Sequence, residues 1–187
     1  MNTIVLLLAS FIFLQGIALA VPDSVTAGPY KVSFDLGLLK DAYSISVSPP
    51  SEQVNNRGEK NIIYNIIIKY GFDIGPGITI TETNEGTLPT LEELLATCKL
   101  GYTDIGLKNN EFDAGIRQMG GSQMVYIHLH KPGVKGMSDY WDWEYYPLAG
   151  TRISIFAFPE FNQSPEFMDA TMHLVDTIHV EKMERMV

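Results

Sequence analysis

His128 and His130 stand two positions apart in Tyr126-Ile127-His128-Leu129-His130, so in an extended strand both imidazoles project from one face. Two neutral imidazoles placed this way can ligate Zn²⁺ or Cu²⁺ if a neighbouring strand supplies a further ligand. Asp142 and Glu144 alternate similarly in a run that can pair beside that strand. These residues define one candidate chemistry, a metal-dependent hydrolase outside the cytoplasm using His128, His130 and a nearby carboxylate. The plainer reading is a polar strand face with two partly solvated histidines. No third ligand lies close in sequence, and metal sites require a closed or nearly closed ligand set.

The second candidate is Asp139-Tyr140-Trp141-Asp142-Trp143-Glu144-Tyr145-Tyr146. As a strand it places Trp141, Trp143 and Tyr145 on one face and Asp142, Glu144 and Tyr146 on the other. Flat aromatic rings beside carboxylates can hold a sugar ring, a peptide or a cation by stacking. Tyr140, Trp141, Trp143 and Tyr145 are therefore the expected ligand-binding residues. The same side chains can instead pack beneath a helix, and the expectation is a split. One tryptophan should be largely buried against the second helix and the other partly open.

Nucleophilic catalysis has less support. Gly120-Gly121-Ser122-Gln123-Met124 and Gly136-Met137-Ser138-Asp139-Tyr140 both lack the second glycine of a G-x-S-x-G elbow. No phosphate-binding loop or dinucleotide fingerprint occurs, so no cofactor is implied. Asn162-Gln163-Ser164 is a formal glycosylation sequon followed directly by Pro165. The single cysteine, Cys98, shares a helical face with Leu91, Leu94, Leu95 and Tyr102, which predicts a buried, inert thiol rather than a reactive one.

The elements that must position these residues are legible from periodicity. Tyr30 to Asp35 and Tyr43 to Val47 alternate as half-buried strands, and Pro49-Pro50 ends the second. Ser51 to Lys60 is polar and reads as a loop. Ile62 to Tyr70 is mostly apolar on both faces and reads as a covered central strand. Gly71 to Gly77 reads as a turn into Ile78 to Thr81. Thr90-Leu91-Glu92-Glu93 forms a capping box opening a helix expected to end at Gly101. Phe112 to Met119, Gln123 to Lys131, Tyr140 to Tyr146 and Thr151 to Phe158 are four further strand-like runs. Ser164 is expected to cap a second helix with Pro165 at its first position. Phe167, Ala170, Thr171, Leu174, Val175 and Ile178 form its apolar face. Four strands, a helix, four strands and a helix predict an α+β domain with a largely antiparallel sheet. Its helices would cover opposite faces as a three-layer α-β-α sandwich.

The chain has 187 residues, of which 13 are Lys or Arg and 22 are Asp or Glu, for a net charge of −9. Such an acidic chain has no electrostatic footprint for nucleic acid and is repelled by anionic lipid surfaces. Residues 1–20 carry no charged side chain, with an apolar run from Ile4 to Leu14 broken only by Ser10, and small residues at Ala18 and Ala20. This reads as a secretory signal cleaved before Val21, or as an uncleaved signal anchor that would tie the protein to a membrane. Residues 21–29 are a short leader, 30–182 a single domain and 183–187 a tail. One cysteine permits no internal disulfide, so the core must supply the stability unaided.

The closing pattern is the most distinctive: Arg152-Ile153-Ser154-Ile155-Phe156-Ala157-Phe158, a short loop, Ser164-Pro165-Glu166, a helix to Thr177, then Ile178-His179-Val180. With the mid-chain helix and Phe112-Asp113-Ala114-Gly115-Ile116, it resembles the PsbP-like family of secreted and lumenal proteins over Tyr30 to about Lys182. The resemblance implies an α-β-α sandwich used for binding rather than catalysis. The expected function is a non-enzymatic, extracytoplasmic binding or accessory protein, with an unknown protein or small ligand as partner.

Overall fold

Strict alternation in the chain becomes antiparallel pairing in the computed structural model, which describes residues 22–54, 58–70, 73–83, 88–108, 110–130, 139–159, 164 and 166–184. The expected signal or anchor and its cleavage site lie outside the described residues, as do Asn162 and Pro165. The strands are β1 (Asp23–Ala27), β2 (Tyr30–Phe34), β3 (Tyr43–Val47), β4 (Ser51–Val54), β5 (Lys60–Tyr70), β6 (Asp73–Glu82), β7 (Phe112–Met119), β8 (Ser122–Leu129), β9 (Tyr140–Leu148), β10 (Thr151–Ala157) and β11 (His179–Lys182). The helices are α1 (Leu91–Asp104), between β6 and β7, and α2 (Phe167–Thr177), between β10 and β11.

These strands form two sheets. The larger runs β3-β5-β6-β10-β9-β8-β7, with β4 pairing the same strand, β5, that carries β3. The smaller runs β1-β2-β11. One face of the large sheet carries Tyr64, Ile66, Ile68, Ile78, Ile80, Trp143, Tyr145, Ile153 and Ile155, all buried. They meet Tyr30, Val32 and Phe34 of the small sheet and Phe167, Ala170, Leu174 and Val175 of α2 in one apolar cluster. The Tyr30 hydroxyl hydrogen-bonds Thr151 Oγ1 at 3.0 Å, and the Tyr43 hydroxyl donates to the Asp23 carboxylate, joining the two sheets at separate places. The opposite face is covered by α1 over β7 and β8, where Leu107, Phe112, Ile127 and Leu129 form a second, smaller cluster.

This is a β-rich fold and not the α-β-α sandwich expected from the element order and implied by the PsbP-like resemblance. The cause lies in segments that carry little apolar signal. The stretch read as a leader contains β1, which pairs β2 through a two-residue turn at Gly28-Pro29. Gly28 takes φ +60°, the left-handed conformation a two-residue hairpin requires at this position, and packs beneath the Tyr64 ring. β11 closes on the other side of β2, so a small sheet shares with α2 the layer expected to be helical. The polar run read as a loop contains β4, whose four residues are all exposed. It is held by backbone pairing with β5 and a 3.5 Å Lys60–Glu52 ion pair.

Three boundaries also move. Gly75-Pro76-Gly77 lies inside β6 rather than in a turn. The pairing of β5 with β6 shifts register between Ile67 and Lys69, an irregularity that tolerates a proline without a donor. α1 passes through Gly101 and stops at Ile105, with Gly106 at φ +96° supplying the left-handed residue. α2 begins at Phe167 with no side-chain cap, because Ser164 Oγ donates to the Glu166 carboxylate at 2.5 Å. The capping box at Thr90 and Glu93 forms as expected, with both reciprocal hydrogen bonds present.

Candidate functional site

The alternation of β9 places Asp142 opposite Ile127 of β8 and Phe156 of β10, on the face that α1 covers. Glu144 lies on that face two residues on, and Arg152 and Ser154 of β10 join it because they share parity with Phe156. Between these side chains and the last turns of α1 is a pocket of about 460 Å³. Its walls are Leu107, Leu129, Ile105 and the rings of Tyr102, Tyr140 and Phe158; its charged floor is Asp142, Glu144 and Arg152. Apolar walls around a few convergent polar groups are the usual form of a small-molecule site.

The floor is connected. Ser154 Oγ donates to Asp142 Oδ1 at 2.7 Å, and the Tyr140 hydroxyl bonds both the Asp142 carboxylate and the Tyr102 hydroxyl. Arg152 Nη1 lies 3.6 Å from Glu144 Oε2. Asp142 is only 7% exposed, and burial together with the negative charge of Glu144 pushes its carboxyl up to about 7, against the opposing hydrogen bonds of Ser154 and Tyr140 and the Arg152 charge. Burial also raises Tyr102, Tyr140 and the Cys98 thiol, which stay protonated.

Gly101 lines the same pocket from within α1. A Cβ there would meet no atom within 4 Å, so packing does not demand glycine. Glycine in a helix costs about 0.5–1 kcal/mol relative to alanine, a cost that packing around Gly101 does not explain.

The expected site residues separate across the sheet. Tyr140 lines the pocket, whereas Trp143 and Tyr145 point to the opposite face and lie in the main core. Trp141 shares that core face but is only half-buried, stacked on His128 with ring centroids 3.8 Å apart. The split between the tryptophans is thus Trp143 inside and Trp141 partly open. The four aromatics do not make one surface. His128 and His130 share a face as expected, with ring centroids 5.6 Å apart. Their carboxylate neighbours are Asp139, 2.9 Å from His128, and Asp113, 3.6 Å from His130. Asp142 and Glu144 project from the other side of the sheet. Among the described residues no three His, Cys, Asp or Glu side chains are grouped to hold a metal ion.

Sequence reasoning passed over Arg152 and Ser154. The signal was available: Arg152-Ile153-Ser154-Ile155 alternates polar with apolar in the same sense as Asp142-Trp143-Glu144, marking a polar face on two strands of one sheet. It also took Gly101 for a helix terminator. Cys98 is half-buried and lines the pocket. Its thiol is expected to react with a disulfide reagent much more slowly in the native protein than after unfolding, since burial suppresses the thiolate. Equal rates would show that the helix face carrying Cys98 is not buried.

Compared with known proteins, the chain matches no family model, no curated protein and no solved structure, so the residues of this pocket carry the functional reading.

Proposed function

We propose that the protein is a non-enzymatic, extracytoplasmic binding or accessory protein that takes one small, largely apolar ligand into the pocket between α1 and the large sheet. The observation that carries this reading is the roughly 460 Å³ cavity itself, apolar in its walls and lined at its floor by Asp142, Glu144 and Arg152. The raised Cys98 thiol, which suppresses the thiolate, supports binding over cysteine nucleophilic chemistry in this pocket. The apolar segment Ile4 to Leu14 and the small residues before Val21 support the extracytoplasmic address.

The test uses N-phenyl-1-naphthylamine, a neutral dye that fluoresces in apolar surroundings. Wild-type protein is expected to enhance its emission saturably. Gly101→Phe should abolish the enhancement while leaving the melting temperature unchanged or higher, because the new ring enters open space and a helical glycine is lost. Equal dye binding by both proteins would overturn the assignment of this pocket.

A further inference from the structure

We infer that the pocket takes a protonated amine carried on an apolar body, with the ammonium group seated beside Glu144 and Asp142; this rests on the reading of the cavity as a ligand site. The floor brings two carboxylates together with one guanidinium. Arg152 is already turned to Glu144, and its side chain is 37% exposed, whereas that of Glu144 is 13% exposed. Once Asp142 has lost its proton, above about pH 7, the charge inside the pocket is net negative.

Hydrogen bonding points to a donor. Asp142 is served by Ser154 and Tyr140 and the Cys98 thiol interacts with the Glu144 carboxylate, but Glu144 Oε2 itself is buried without a hydrogen-bond partner among the described residues. The Arg152 nitrogen at 3.6 Å is too distant to supply a hydrogen bond. A buried carboxylate oxygen left unpaired is costly, and an ammonium ion held against the Glu144 carboxylate offsets that cost by balancing its charge. An alcohol offers a proton but no charge, and an anionic ligand meets two carboxylates. The walls act in the same sense, because Tyr102, Tyr140 and Phe158 line the pocket and aromatic faces attract cations. The aliphatic side chains beyond them receive the hydrocarbon part of the ligand.

Three probes with one body form the test: 2-phenylethylamine, 2-phenylethanol and 3-phenylpropionate, titrated at about pH 8 and low salt by displacement of the naphthylamine dye. The expected order is amine, then alcohol, then carboxylate, with at least about a tenfold gap between the first two. Glu144→Gln should shrink that gap to about threefold or less while alcohol binding stays as it was. If that variant does not fold, the wild-type series decides alone. Alcohol or carboxylate binding as tightly as the amine, with the dye still bound and still excluded by Gly101→Phe, overturns the amine inference and leaves the pocket standing. Failure of wild-type protein to bind the dye overturns the pocket reading itself.

Discussion

Trp143→Ala is expected to remove about 3–5 kcal/mol of stability, the usual cost of truncating a large aromatic in a closed core. Trp143 is 1% exposed and among the largest fully buried side chains. It sits in mid-sheet, opposite Tyr126 of β8 and Ile155 of β10, so paired backbone on both sides hinders collapse into the space it vacates. The loss is a large share of the roughly 5–15 kcal/mol that holds a typical domain together. Trp141→Ala, which removes a half-buried ring stacked on His128, should cost less. Urea melts of both variants, with the slope unchanged, measure the difference. A Trp143 loss below about 1 kcal/mol would mean that this face of β9 is not the core.

Asp142→Asn is expected to change how stability depends on pH. In the unfolded chain the carboxyl titrates near 4; in the fold it keeps its proton up to about 7. Between those values the folded state binds more protons than the unfolded one, so the contribution of Asp142 falls as pH rises. It is fully present below about pH 4 and lost as pH passes through about 7, with a ceiling of about 4 kcal/mol. The groups facing Asp142 are Glu144 and Tyr140 on its own strand, Ser154 and Arg152 on β10, and Tyr102 and Cys98 on α1. Asparagine keeps an acceptor for Ser154 and presents N–H donors without a titrating charge. The variant should therefore gain on wild type as pH rises from about 5 to 8, with the two converging at the acid end. Denaturant melts across that range give the comparison, and a difference of opposite slope would refute the raised carboxyl. A bound ammonium favours the ionised carboxylate, so 2-phenylethylamine should flatten the wild-type curve.

The two substitutions fall on adjacent residues with opposite destinations, and this shows what could be read locally. Alternation along Tyr140 to Tyr146 puts Trp143 and Asp142 on different faces from sequence alone. It does not say which face meets the small sheet and α2 and which meets α1. That choice set Trp143 and Tyr145 in the core and left only Tyr140 of the expected aromatics in the pocket. The same ambiguity misplaced Asp142 and Glu144 beside His128. They occupy a neighbouring strand as supposed, but in register with Ile127 and Val125 rather than with the histidine.

What the sequence by itself determined were properties set within a few residues: the capping box at Thr90, the apolar face of α2, and the parity of β2, β8, β9 and β10. Each follows from backbone geometry and near-neighbour hydrogen bonding, so no distant partner is needed. Only the tertiary structure decided that β1 and β4 are strands, that β11 returns to β2, and that β10 inserts between β6 and β9. β1, β4 and β11 are short or polar, and they become strands because a distant partner satisfies their backbone groups, while the place of β10 in the sheet depends on its long-range pairing with β6. The pocket belongs to the same class of outcome. Its floor comes from two strands and its rim from a helix some forty residues earlier in the chain, brought together when the large sheet buries Trp143 on one face and leaves Asp142 and Glu144 on the other.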